Sequence, residues 1–184
     1  MLETARLRLR PWDLARDLGD FIAICHDVDV MRYIGDGHLW SEDESRSWIE
    51  TNLATMAKYG FCQWAVEARD GGELLGFCGF RSWDNPKEGV QGDLLVQLRP
   101  AMGWRLSRAS WGHGYATEAA AAALTDGFGR CGFERVIATV QPANKPSAGV
   151  AGKLGMQEQV DVSDTGLLVF AIVKQQWGAM LCQL

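Results

Sequence analysis

The stretch at residues 102–117, MGWRLSRASWGHGYAT, constrains this chain more than any other. Apolar residues at 102–106 fit a short strand, 107–110 a turn, and the alanine-rich run at 117–124 a helix. Between turn and helix stand Gly112 and Gly114. Lacking a Cβ, each lets the backbone take positive φ and approach a ligand closely. The first N–H groups of the following helix have no partner inside it. Aimed at one point, with the helix dipole behind them, they form an anion site suited to a phosphate. The plainer reading of Gly-x-Gly is a tight strand-to-helix turn.

Two nucleotide readings meet poor support in the residues. A Walker loop ends in Gly-Lys-Ser/Thr, which is absent. The dinucleotide fingerprint needs a small residue three after its second glycine, where this chain has Thr117. WGHGYATEAAAAAL instead resembles motif A of the GNAT acyltransferases, with the pattern Arg/Gln-x-x-Gly-x-Gly/Ala. Gly114 and Ala116 match its last two positions, and Trp111 stands where Arg or Gln is usual. Trp there, with Gly-Tyr-Ala-Thr-Glu-Ala at 114–119, is familiar in the branch resembling the ribosomal-protein alanine N-acetyltransferases. Three other patterns are similar to that family: TARLRLR at 4–10, LGFCGF at 75–80, and NKPS at 144–147 leading to KLGM at 153–156. The last resembles Asn-x-x-Ser … Lys-Leu-Gly-Phe, with Met for Phe.

The rest of the chain reads as alternating elements. Leu7 and Leu9 alternate with arginines as in a half-buried strand, which Pro11 ends. Asp13 caps a helix carrying Leu14, Leu18, Phe21, Ile22 and Cys25. Residues 28–34 form a short helical turn and 35–38 a loop. Ser41 with Glu44 fits a capping box, opening a helix to about Lys58 that Gly60 breaks. Strands at 61–69 and 74–83 flank the hairpin signal Asp70-Gly71-Gly72, with Gly76 and Gly79 marking a bulge or a close approach. A polar loop at 84–92 leads to an edge strand or extended connection at 93–98. After the motif helix, which ends near Gly127 or Gly129, come a strand at 135–140 and a turn at 141–143. Asn144 opens a helix of about a dozen residues, with Pro146 in its first turn and Gly155 at its C-terminal end. Strands at 156–162 and 167–173 follow, and Trp177 and Leu181 close over the core. This order gives an α/β (α+β) domain spanning 1–184. The resemblance implies the GNAT fold, a mixed central sheet of about six to seven strands flanked by helices.

Composition narrows the partners. A net charge of −5 argues against nucleic acid binding by a broad basic face and suits a cationic amine acceptor. Five scattered cysteines with no Cys-x-x-Cys pair indicate neither a zinc site nor a disulfide framework, and suggest a reduced cytoplasmic setting. No apolar run approaches a membrane span, and the charged N-terminus is unlike a signal peptide.

The resemblance implies an N-acetyltransferase that uses acetyl-coenzyme A as co-substrate, with no metal. The amine acceptor would be a protein N-terminus or a small molecule, and the protein a monomer or homodimer. The backbone of the 102–106 strand, at Trp104 and Leu106, would hold the pantetheine arm, and an N–H near Leu106 or Ser107 would polarise the thioester carbonyl. The side chains of Trp104 and Leu106 read as core. Trp111, Gly112, His113, Gly114, Tyr115, Ala116 and Thr117 would surround the pyrophosphate, with Arg108 either adding charge or standing exposed. Tyr115 either lines the groove or anchors the helix, and Glu118 caps or pairs structurally. Asn144 is an N-cap or a ligand contact, and Ser147 a donor to the departing thiolate; both are the candidate catalytic residues. The glutamate that relatives carry before the glycine of the central strand is missing, since Ala101-Met102-Gly103 fills that register. Base candidates are Glu88, Asp93, His38, Asp164 or a water relay. A coenzyme-binding sensor without turnover, and a binder of ATP or NAD, are the alternatives.

Overall fold

In the computed structural model of the chain, residues 1–82, 100–159 and 166–181 are described. Eight strands form one sheet: β1 (Leu2–Glu3), β2 (Leu7–Arg10), β3 (Gln63–Ala68), β4 (Leu74–Ser82), β5 (Pro100–Leu106), β6 (Arg135–Val140), β7 (Gln157–Gln159) and β8 (Leu168–Val173). Their order is β1-β2-β3-β4-β5-β6-β8-β7. Neighbours run antiparallel except β5 and β6, which are parallel and joined through the helix α4 (Tyr115–Gly129). The remaining helices are α1 (Leu14–Cys25), α2 (Val28–Met31), α3 (Glu42–Tyr59), α5 (Lys145–Lys153) and α6 (Lys174–Leu181).

Local chemistry explains most boundaries. Asp13 accepts the N–H groups of Ala15 and Arg16 at the start of α1. Ser41 and Glu44 cap α3 reciprocally, and Gly60 ends it. Gly76 and Gly79 have a steric cause. A Cβ on Gly76 would collide with the Arg105 carbonyl oxygen, and one on Gly79 with that of Cys62. The register also shifts between Val66 and Glu67, opposite Gly76 and Leu74, so close approach and bulge occur together.

The period-two pattern divides two cores across the sheet. Trp64, Val66, Cys78, Phe80, Met102 and Leu106 pack with Ala119, Ala123, Leu124 and Phe128 of α4. On the other face Ala65, Leu74 and Phe77 pack with Phe21, Ile24 and Cys25 of α1 and Ile49 of α3. Trp177 of α6 belongs to the first core, with its indole N–H on Thr125 Oγ1 at 3.3 Å.

Four features depart from the sequence reading. Among the described residues the sheet has eight strands rather than six to seven. One of them, β1, pairs Leu2 with Leu9 and Glu3 with Arg8, and two residues are too few for a period to register. Helix α4 starts at Tyr115 rather than 117, because Gly114 supplies the N-cap. Helix α5 has nine residues, since Leu154 caps it before Gly155 turns left-handed at φ 72°. Helix α6 was not expected as a helix. The segment at 93–98 lies outside the described residues. No helix among the described residues is long and apolar enough to cross a membrane.

Candidate active site

The parallel pair β5–β6 creates the site by coming apart. Its pairing consists of Ala101 opposite Ile137, and beyond it the strands diverge. On the other side β5 stays fully paired with β4, Leu106 opposite Gly76 through Pro100 opposite Ser82. Ser107 donates its N–H to the Leu75 carbonyl at 2.8 Å. Main-chain groups alternate sides along an antiparallel ladder, so those of Trp104 and Leu106 face the fork. The strand-end donor turned to the fork is therefore Leu106 N–H, while that of Ser107 is spent within the sheet. The Leu106 carbonyl accepts the Trp111 indole N–H at 2.9 Å, which folds the loop back against the strand end.

Helix α4 opens onto the same fork. Helices α1, α2, α3 and α5 each start with a capping side chain, from Asp13, Asp27, Ser41 and Asn144. Helix α4 has none: its N-cap is Gly114 at φ 79°, two residues after Gly112, also at φ 79°. Its first N–H groups have no capping side chain, as an anion site requires. The loop is braced from behind. Arg6 bonds Glu118 through Nε at 2.7 Å and the His113 carbonyl through Nη1 at 3.0 Å, and lies 4.7 Å from the centre of the Tyr115 ring. Thr4 Oγ1 also donates to Glu118 at 2.6 Å. Burial would raise the Glu118 carboxyl, but the Thr4 and Arg6 donors hold it below the usual carboxylate value.

Two clefts meet at the fork. One, of about 530 Å³, runs past Trp111, Gly112, Gly114, Tyr115, Ala116 and Thr117 toward Lys153. The other, of about 730 Å³, is walled by Trp40, Trp48, Gln63 and Phe77. Both are lined by Trp104, Arg105, Asn144 and Ser147. Asn144 caps α5 by accepting the Ser147 N–H at 3.2 Å, which fixes the two residues together at the junction.

Of the residues expected at a site, the first cleft gathers Trp104, Leu106, Trp111, Gly112, Gly114, Tyr115, Ala116, Thr117, Asn144 and Ser147. Leu106 is buried as expected of core, whereas Trp104 is half-buried, touching both core and cleft. Three of the expected residues are not part of that lining. Ser107 shares a hydrogen bond with Ser110 at 2.7 Å. Arg108 sits 4.8 Å from the centre of the Trp111 ring, with Asp29 3.9 Å away. His113 stacks on Tyr115 at 5.5 Å. His38 lines neither cleft and sits in an exposed cluster. Its ring nitrogens lie 2.7 Å from Asp36 and 2.9 Å from Glu44, which raise its pKa and favour the charged form. Glu88, Asp93 and Asp164 lie outside the described residues. No group of three or more metal-ligating side chains occurs among the described residues.

The sequence reading gave no site role to Arg105, Trp40, Trp48, Gln63 or Lys153. A cation inside the apolar strand MGWRL was the available signal for Arg105. It is 6% exposed, and burial lowers its pKa from the ordinary arginine value. The aromatic wall comes from separate elements, and only folding joins them. Trp48 lies 4.5 Å from Phe77 and 6.3 Å from Trp40, centre to centre.

Comparison with known proteins fits this geometry. The family described as acetyltransferase (GNAT) domain matches residues 6–157. The Bacillus subtilis protein YkkB is 34% identical over 155 residues, covering 84% of each chain. The N-acetyltransferase YoaA of the same organism is 29% identical over 162 residues, covering 86% of this chain and 84% of its own. Among solved structures, a GNAT-family acetyltransferase from Bacillus anthracis superposes with a TM-score of 0.76 at 25% identity, covering 95% of this chain and 98% of its own.

Proposed function

This chain belongs to the GNAT acetyltransferases, and from that premise we propose that it moves an acetyl group from acetyl-coenzyme A to a primary amine by direct attack in a ternary complex. The observation that carries the reading is the uncapped, glycine-opened start of α4 facing the same fork as the unpaired side of β5. In this reading the N–H groups at the start of α4 hold the pyrophosphate, with Lys153 adding charge. The main chain of Trp104 holds the pantetheine arm. Leu106 N–H donates to the thioester oxygen, where negative charge grows as the amine attacks. Ser147 donates a hydrogen bond to the departing thiolate, which takes its proton from water, and Asn144 positions Ser147 by fixing the first turn of α5. The amine releases its proton to water. The whole 184-residue chain acts as one such domain in the cytoplasm, as a monomer or homodimer, with neither nucleic acid nor membrane as partner.

Calorimetric titration with acetyl-coenzyme A, against 3′-dephospho-coenzyme A, ATP and NAD, tests the reading. Binding of acetyl-coenzyme A in preference to ATP and NAD is expected, and no binding would overturn it. One observation favours a second reading, a sensor that binds the coenzyme without turnover: Ala101, in the register of the family glutamate, is 1% exposed and packs on Ile137 and Ala171. Ser147→Ala separates the two. It should lower kcat with little change in coenzyme affinity, whereas thiol release by the unaltered protein no faster than without protein would favour the sensor.

A further inference from the structure

The strongest unassigned feature is Arg105. Its guanidinium lies at the junction of the clefts, 4.3 Å from the centre of the Trp40 ring and 5.3 Å from that of Phe77. Nη1 donates to Cys25 Sγ at 3.3 Å, and buried Nε has no partner. Arg6, Arg10, Arg16, Arg32, Arg46 and Arg130 each hold a carboxylate oxygen within 2.9 Å. Arg105 has no carboxylate partner among the described residues. A cation withdrawn from water costs free energy unless it is paired. Stacking on aromatic faces offsets part of that cost and fixes the plane of the guanidinium, while its donor edges remain suited to a carboxylate. A structural arginine would meet its carboxylate within the fold, as Arg10 meets Asp17 and Glu67.

We propose that Arg105 binds a carboxylate on the acceptor, so that the amine acetylated by this chain is a small amino acid rather than a peptide N-terminus. The inference rests on the acetyltransferase reading above. The aromatic wall of Trp40, Trp48 and Phe77 surrounds the carbon skeleton, and Gln63, 5% exposed, lines the same cleft. A free amino acid carries its carboxylate one carbon from the amine, so an ion pair at the junction delivers the nitrogen beside Ser147. The neutral amine attacks the thioester carbonyl; a C–N bond forms and the C–S bond breaks. The nitrogen loses one proton to water, and the thiolate takes one to leave as free coenzyme A. The acceptor carboxylate is unchanged. In a peptide that carboxylate is an amide, and Arg105 would keep a neutral partner.

The test compares L-amino acids with apolar or aromatic side chains, their carboxamides, and dipeptides with the same first residue, by coenzyme A thiol release. Amino acids should exceed carboxamides in kcat/KM by about 10- to 100-fold, the range of a charged hydrogen bond. Arg105→Gln should bring that ratio close to one, mainly through KM; Arg105→Lys, which keeps the charge without the fork, should restore part of it. If Arg105→Gln fails to fold, Arg105→Lys and the wild-type ratio decide. Where no acceptor turns over, quenching of tryptophan fluorescence by amino acid against carboxamide, with coenzyme A present, gives the same comparison. Equal use of the three classes, preference for dipeptides, or equal quenching overturns the proposal while leaving the acetyltransferase reading intact. Failure to bind acetyl-coenzyme A removes that reading first.

Discussion

A glycine at positive φ can serve two ends, and Gly79 and Gly112 separate them. A Cβ at Gly79 would strike the Cys62 carbonyl and the Trp64 ring, while one at Gly112 meets nothing within 4 Å. Gly112→Ala should cost only the backbone term, about 1–2 kcal/mol. Gly79→Ala should cost about 1–3 kcal/mol more, since main chain cannot yield as a side chain can. Urea unfolding midpoints at constant slope would read the difference, and equal losses would contradict the close packing of β3 on β4. Residues of this kind were legible because glycine is informative wherever it stands. Arg105 was not: its meaning lies in Trp40 and Phe77, which are far from it in sequence, and in the missing carboxylate.

Elements were legible where their ends carry chemistry. Asp13, Ser41 with Glu44, and Asn144 each mark a helix start that the structure keeps. Strand β1 lacks such a mark and owes its form to the ladder with β2, while α6 has Gln176, which accepts the Val173 N–H at 3.1 Å, and the burial of Trp177. The brace between the N-terminal segment and α4 belongs to this scale. Arg6 and Glu118 are partly exposed, at 49% and 19% for their side chains, so their ion pair contributes under about 1 kcal/mol to stability. The same arginine nonetheless holds the His113 carbonyl and covers Tyr115. Arg6→Ala should therefore leave the melting temperature within a few degrees and weaken acetyl-coenzyme A binding by a larger proportion, measured by calorimetry. Unchanged affinity would mean that the loop keeps its shape unaided.

At the scale of the whole molecule, a buried charge cluster is one source of pH dependence. Glu67, 2% exposed, meets Arg8, Arg10 and Arg16, and Arg10 also meets Asp17. Burial pushes the Glu67 carboxyl up, and the arginines, Arg10 foremost, bring it below its ordinary value of 4.5. A carboxyl lower in the folded than in the unfolded chain stabilises the fold above its ordinary value. That contribution fades as pH falls through 4.5 toward the depressed value. Glu118 acts in the same direction. Glu67→Gln should destabilise the protein at neutral pH by about 1–3 kcal/mol, because three arginines lose a shared carboxylate while Arg10 keeps Asp17. Its deficit should narrow on acidification, as wild-type Glu67 takes up a proton. Thermal melts across pH 3 to 7 check both claims, the window spanning the ordinary carboxylate range of about 4. A deficit independent of pH would assign the loss to packing.

The fork between β5 and β6 gives the sheet an edge in its interior. Amides in mid-sheet ordinarily exchange their hydrogens with solvent only when the region opens, whereas the N–H groups of Trp104 and Leu106 face a cleft. They should exchange far faster than those of Arg105 and Ser107, their immediate neighbours on the closed side. An extended ligand arm laid along β5 would complete the ladder and slow that pair while leaving Arg105 and Ser107 unchanged. Deuterium uptake resolved by residue would then show a bound arm behaving as the missing strand.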